Sequence, residues 1–437
     1  MLDMISSPWL PVAVLAATTA ICRIISRSWF APAALTGLIW TFFCVASLLA
    51  VDYPVPGRGM WMLVLLVVAI QLGALVAHEL RSEGELPDQN ATDFTFAIQP
   101  CRVYGLICTL IALAGCVYFL FTSLEEFGLP FTPIGILEVG AHWTLLRYDD
   151  AVEPWSVRLL VMWLHPAALL GGLLFACSQR RVDRFISAIT VSPALFYGIL
   201  TGARAAILIG GTCWIAGYLS AVIVLTTKRL GLFTVRRVIT LLLVAVCGLG
   251  MFASIDAVRD SSWVHTVMFD VREQKLQNYM FGSPAAFADW YAHSDKSPLE
   301  WGARTFAGEF DLLQLRTRVT GRYLETSNVV GTENTNVYTL FRGLVEDFGE
   351  AGSVLASLIC GLAAGWFYSA RSTTVLFRWL ALSAFYATVI FSPLVSFFSF
   401  NGPTLGWLLA AVVLIAGKHR AAPQSFVPLQ LHGASPQ

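Results

Sequence analysis

Residues 60–78 read MWMLVLLVVAIQLGALVAH, nineteen positions with a single amide and no charge before the closing histidine. A bilayer core takes about 20 mostly apolar residues in one helix. In lipid a helix also satisfies its own backbone hydrogen bonds. This stretch therefore reads as a transmembrane helix. Working outward, ten more segments read the same way: about 8–22, 30–51, 104–122, 158–177, 186–201, 204–224, 238–254, 350–369, 374–397 and 404–417. The expected fold is an all-α integral membrane protein with about 11 transmembrane helices. Segments 186–201 and 204–224 are divided only by Gly202 and Ala203, a tight hairpin.

Composition agrees. Hydrophobic residues make up 57% and charged residues 13%, against about 25% charged in soluble domains, and the mean hydropathy is +0.68. The net charge is zero, so nucleic acid is not an expected partner; the lipid bilayer is. The first apolar stretch lacks a basic leader and a small-residue cleavage site, so no cleavable signal peptide is read there. The nine cysteines avoid residues 255–342, which leaves that region no disulfide framework. No CxxC or HExxH pattern occurs, so neither a metal nor another cofactor is expected.

Lys and Arg in short loops set the orientation. One set of connections carries fifteen (Arg23, Arg27, Arg81, Arg102, Arg180, Arg181, Arg184, Lys228, Arg229, Arg236, Arg237, Arg371, Arg378, Lys418, Arg420) and the other four (Arg58, Arg147, Arg158, Arg204). The richer side is expected to be cytoplasmic. The N-terminus then lies outside and the C-terminus inside. The chain divides into 1–254 with helices one to eight, 255–342 as a large outer loop with short helices, and 343–437 with helices nine to eleven. Loop 123–157 and the 201–204 hairpin share the outer side.

No expected span interior holds Asp or Glu, and His165 is its main ionisable group. Ion-coupled transporters usually need a carboxylate near the midplane. A transporter therefore ranks last among the readings considered.

The 255–342 loop is too long to be a connector. It carries aromatic and apolar anchors, Trp263, Phe287, Trp290, Tyr291, Trp301 and Phe306 among them, suited to short helices on the bundle or in the interface. Its charges segregate: Arg316, Arg318 and Arg322 fall within 312–322 (LLQLRTRVTGR) with no acid. Guanidinium forks match phosphate oxygens well, so this patch reads as an anion cradle. Attraction to anionic headgroups is the simpler alternative.

At 334–352, NTNVYTLFRGLVEDFGEAG returns to the membrane. With 336–347 helical, Tyr338 and Arg342 share a face, as do Arg342 and Glu346. The plain reading is an i,i+4 salt bridge. The functional reading places Arg342 on an anionic leaving group, with Glu346 or Asp347 orienting it or acting as general base. Gly349 and Gly352 are expected to let the next helix pack closely. Arg204, in TGARAAIL at 201–208, reads either as a headgroup-seeking arginine or as a second anion ligand. Thr201 and Gly202 beside it would leave backbone open to a ligand.

TGARAAIL, NYMFGSPAAFADWY (278–291), SPLEWGARTFAG (297–308) and NVYTLFRGLVEDFGEAG (336–352), in this order, resemble the O-antigen polymerase family, the Wzy-type oligosaccharide repeat-unit polymerases. The resemblance covers roughly 195–360. It implies a glycosyltransferase C-like (GT-C-like) bundle in the bacterial inner membrane, acting at the periplasmic face without nucleotide sugar. It implies transfer of a growing glycan from undecaprenyl pyrophosphate to a hydroxyl of the next lipid-linked repeat unit. The product would be O-antigen or a related surface polysaccharide. By resemblance, Arg204 and Arg342 are the catalytic arginines and Asp347 the acid, with Glu346 the second choice of base. Arg316, Arg318 and Arg322 assist. For the reaction so implied, Asn336 is expected to bind substrate, Tyr338, Tyr323 and Trp301 are expected to stack on sugar rings, and a chain-length regulator protein is a possible partner. Ala203 stands where the family commonly has serine. O-antigen ligases carry a His-Asn pair where this chain has Thr335–Asn336, which favours polymerase. His265 or His293 would have to replace that histidine in a ligase, the runner-up reading.

Overall fold

A computed structural model describes residues 7–51, 53–82, 98–148, 153–178, 180–225, 269–294, 298–316, 323, 327–330, 333–335, 337–370 and 375–418. It is a helical bundle. In chain order the helices are α1 (Trp9–Ser26), α2 (Pro32–Ala50), α3 (Gly57–Ser82), α4 (Ile98–Phe127), α5 (Pro133–Tyr148), α6 (Trp155–Val161), α7 (Leu164–Cys177), α8 (Arg181–Ile189), α9 (Ser192–Thr201), α10 (Arg204–Leu225), α11 (Phe269–His293), α12 (Ala307–Leu312), α13 (Leu340–Ser369), α14 (Val375–Phe391) and α15 (Asn401–Lys418). A small antiparallel hairpin pairs β1 (Ser327–Val330) with β2 (Glu333–Thr335).

Eight segments are long and apolar enough to cross a bilayer: α1, α2, α3, α4, α6 with α7, α8 with α9, α10 and α13. Two shorter apolar helices, α14 and α15, follow. These coincide with ten of the eleven expected segments; 238–254 lies outside the described residues. The chain is a multi-pass membrane protein, helical among the described residues apart from one short hairpin.

Helix α3 holds the opening stretch. It is apolar all round: Leu63, Leu66 and Val67 are buried against other helices, while Leu65, Leu72 and Val76 are about half exposed on a face that suits lipid. Its one amide is satisfied: Gln71 donates to Thr19 Oγ1 (3.1 Å) and accepts from Thr18 Oγ1 (3.0 Å). Against α3 lies α13 in near-backbone contact. A Cβ on Gly361 would sit 2.1 Å from Ile70 O, and one on Gly365 2.2 Å from Ala74 O. Small residues allow this approach, and dispersion between closely packed helices drives their association in lipid.

Three elements differ from the sequence reading. Loop 123–157 contains α5, a helix where a polar connector was expected. The large loop contains α11, 25 residues long despite Pro284. It packs along α2 and the start of α3: the rings of Phe42 and Phe281 are 6.3 Å apart, and Tyr53 donates to Asp289 at 2.6 Å. Finally, α13 begins at Leu340 and breaks at Gly349, whose φ of 69° and ψ of −179° fall where essentially only glycine sits. A Cβ there would meet nothing closer than Leu299 at 3.5 Å. Its role is to bend the chain, not to admit a neighbour.

That bend sets the depth of the site. At one end of the bundle Tyr291 hydrogen-bonds Glu350 and lies under Arg58, near the start of α3. Leu340 donates to Ser392 O, Ser392 Oγ accepts from Trp40, and Trp40 packs on Phe341. Trp40 is ten residues from the end of α2, roughly 15 Å along the axis. Residues 340–348 thus climb from inside the bundle to its rim, turn at Gly349, and descend again as a full span.

Candidate functional site

Arg342 lies on the first turn of that climbing helix and is only 3% exposed. Its guanidinium carbon is 3.7 Å from the ring centre of Tyr323, 4.1 Å from Tyr338 and 4.8 Å from Trp290. Aromatic faces attract a cation at such distances, more strongly where water is excluded. Tyr323 and Tyr338 meet edge to face, 5.1 Å apart. The i,i+4 pair forms as the spacing suggested: Arg342 Nε is 2.9 Å from Glu346 Oε1.

From Glu346 a chain of charges runs outward. Its Oε2 is 3.6 Å from Arg304 Nε. Arg304 Nη2 is 3.4 Å from Glu300 Oε1, and Glu300 Oε2 pairs with Arg316. The order is Arg342, Glu346, Arg304, Glu300, Arg316. Its inner end is buried and its outer end is not: the Arg342 side chain is 4% exposed and that of Arg316 44%. Arg316's hydrogen bond, with Arg304 alongside, holds the Glu300 carboxyl below the usual carboxylate range despite burial. Burial pushes the Tyr323 phenol far above its ordinary range, and the nearby Glu346 carboxylate adds to that.

Asp347 does something else. It is fully buried, and both oxygens accept backbone amides: Arg304 N–H at 2.9 Å and Thr305 N–H at 2.6 Å. Its carbonyl accepts Trp301 N–H, and the Glu346 carbonyl accepts Glu300 N–H, both at 3.1 Å. Four hydrogen bonds thus fasten loop 300–305 to the climbing helix. Ser396 adds a fifth to the Thr305 carbonyl. Each Asp347 oxygen is thus engaged by the backbone that carries Arg304. Trp301, held at a positive φ of 52° by this fastening, points outward and is 73% exposed.

Arg204 stands on another element. Gly202 (φ 59°) ends α9 in a turn where Gly202 N–H and Ala203 N–H return to Ile199 O and Gly198 O, the double hydrogen bond of a helix C-terminus. The space beside Gly202 is taken by α5: a Cβ would fall 2.1 Å from Thr144 Oγ1. The expectation of backbone open to a ligand is therefore corrected.

The direction of α10 follows from its packing. Ala221, near its far end, shares a cluster with Leu376 and Trp379 at the start of α14, and Trp379 donates to Gly217 O. Ala205 and Leu208 pack in the cluster of Leu340, Phe341 and Phe391. Helices α10 and α14 therefore run antiparallel, and Arg204 lies at the same end of the bundle as Arg342.

Of the residues singled out in the sequence, Arg342, Glu346, Asp347, Tyr338, Arg316 and Trp301 converge here. Arg316 is paired with Glu300. Arg318, Arg322 and Asn336 lie outside the described residues, as does His265. His293 ends α11 and pairs with Asp289 at 3.1 Å. Sequence reasoning missed the roles of Arg304, Glu300 and Trp290. Glu300 and Arg304 had one signal, an i,i+4 spacing inside SPLEWGARTFAG. His165, the ionisable group of the fifth span, is packed against Gly402 and Gly406 of α15. The buried carboxylate that the span reading overlooked is Asp183 on α8, bound by Arg102 at 2.5 Å and by Ser178. Among the described residues no three His, Cys, Asp or Glu side chains gather as a metal site would require. The chain matches no protein-family model, no curated protein and no solved structure.

Proposed function

We propose that this chain is a glycan polymerase that uses a polyprenyl-diphosphate-linked donor, extending undecaprenyl-pyrophosphate-linked repeat units at the periplasmic face of the bacterial inner membrane. The observation that carries this is the line of three guanidiniums running from a buried aromatic cage to the rim of an apolar bundle. Such a line suits a ligand with an anionic head and an apolar tail. Order and spacing of the four quoted motifs support the same reading.

In the reaction the bond between the donor sugar's C1 and the diphosphate oxygen breaks. The acceptor hydroxyl oxygen bonds to C1, and charge gathers on the departing diphosphate. Guanidiniums fixed in advance stabilise that charge more in the transition state than in the ground state. Arg342, Arg304 and Arg204 are suited to it. Glu346 takes over from Asp347 as candidate acceptor of the hydroxyl proton. It is paired with Arg342 and Arg304, and a diphosphate that engages those arginines takes its place on them and lets it turn to the acceptor hydroxyl. Tyr323, Tyr338 and exposed Trp301 offer faces for sugar rings.

Arg204→Ala and Arg342→Ala, expressed at normal level in the membrane, should each leave single repeat units on the lipid carrier. A glycan ladder of unchanged length in both removes the assignment. The pattern on a gel also separates the ligase reading: core capped by one unit marks a lost polymerase, whereas uncapped core with polymer retained on the carrier marks a lost ligase.

A further inference from the structure

The two carboxylates in the chain of charges, Glu346 and Glu300, are not equivalent. Glu346 sits on a helix, one turn from Arg342, with its backbone carbonyl bound to Glu300 N–H. Glu300 is on the loop, twice as exposed (24% against 12% for the side chain), and faces the half-exposed Arg316. Each Glu300 oxygen takes a different guanidinium, Arg304 on one side and Arg316 on the other. One anion bridging two arginines is the arrangement a diphosphate would make. Asp347, the third carboxylate, is fixed by backbone amides and is unavailable for this.

We propose that Glu300 is an internal occupant of the anion site, holding Arg304 and Arg316 in the ligand-free protein and leaving them when a diphosphate enters. The proposal rests on the reading above and adds how the site selects its ligand. An entering anion must displace a carboxylate that already makes a charge-assisted contact with both arginines. A singly charged anion offers no more than Glu300 does. A diphosphate brings at least two charges and more acceptor oxygens, so it prevails. Glu300 thereby keeps the arginines paired and ordered between turnovers, and it screens out weak anions. The loop can yield there because its hold on the helix runs through backbone hydrogen bonds at 300, 301, 304 and 305 and not through the Glu300 side chain.

The test is titration of the purified full-length protein in detergent at low salt with inorganic pyrophosphate and, separately, inorganic phosphate, followed calorimetrically. Glu300→Gln should bind pyrophosphate about tenfold more tightly than the unaltered chain and lose part of the preference for pyrophosphate over phosphate. A carboxylate that merely braces the loop gives the opposite sign, a loss of affinity. Glu300→Asp, too short to bridge both arginines, should shift the same way by less, and it serves if the glutamine variant fails to fold. Equal or weaker pyrophosphate binding by the folded variants overturns the displacement role. If pyrophosphate still binds the unaltered chain and is lost in Arg304→Ala, the anion-site reading survives that outcome. Absence of pyrophosphate binding in every form overturns both.

Discussion

Asp347 and Glu346 are adjacent in sequence, yet their carboxylates meet different partners. The sequence showed an acidic pair close to an arginine and nothing to rank the two. The partners of Asp347 are backbone amides 42 and 43 residues away, and backbone amides leave no mark in a side-chain pattern. The i,i+4 relation of Arg342 to Glu346 was legible because it is local. The Tyr338 face of the aromatic cage was legible for the same reason, and the Trp290 face was not. The clamp reading of Asp347 has a measurable consequence. Asp347→Ala strands two amide N–H groups, a buried one at Thr305, costing about 1–3 kcal/mol, and a partly buried one at Arg304. Asp347→Asn keeps one acceptor and turns an NH₂ towards the other amide, for a smaller loss. Thermal unfolding in detergent should therefore rank the aspartate above asparagine above alanine, and the folded asparagine variant should still make polymer. Complete inactivity of a well-folded Asp347→Asn would return the proton-accepting role to Asp347.

At the scale of elements, the apolar spans were legible because lipid imposes length and composition directly. The short pieces that shape the site were not. Helix α5 is buried on one side only, and the bend in α13 rests on the conformation of one glycine inside an otherwise continuous helix. Helix α12 is six residues long, too short for a periodicity signal, yet it braces the start of α15. Thr404 donates to Glu309, and Asn401 donates to Asp311 at 3.2 Å. Burial raises the Glu309 carboxyl above the usual carboxylate range, only partly offset by Thr404. A raised value in the folded state favours the protonated form. The contribution is present in full below the ordinary carboxylate range, near pH 4.3, and is lost as pH rises through the raised value. Glu300 behaves oppositely: its lowered value makes its contribution present above the ordinary range and lost only in stronger acid. Between neutrality and about pH 4.5, then, Glu309 changes and Glu300 does not. Glu309→Gln should melt higher than the unaltered chain at pH 7, with the gap closing on acidification. A gap that stays constant or widens in acid would show that Glu309 is not held in a raised state.

At the scale of the whole molecule, the proposed function asks two arginines 138 residues apart to reach one ligand. The charge bias of the short loops already placed both on one side, but not their depth or their neighbours. Helix directions supply part of the answer, since the starts of α10 and α13 lie at the same end of the bundle. Distances along each helix set their depth. Trp379 meets Gly217, and from that contact α14 rises twelve residues to Phe391 while α10 rises thirteen to Arg204. At about 1.5 Å per residue both climb roughly 18–20 Å. Arg204 therefore comes level with Ser392, whose carbonyl receives Leu340 N–H two residues before Arg342. Cations that grip a single diphosphate act as a unit, and the effects of losing them are not additive. Removing one such donor typically costs about 10²–10³ in rate. If Arg204 and Arg342 hold the same leaving group, the double alanine variant should be little slower than the worse single variant, because the first loss already releases the ligand from its productive position. If they act on separate ligands, donor and acceptor, the losses should multiply to about 10⁴–10⁶. Polymerisation rates of the four forms in reconstituted vesicles, measured with one lipid-linked repeat unit as both donor and acceptor, decide between these outcomes.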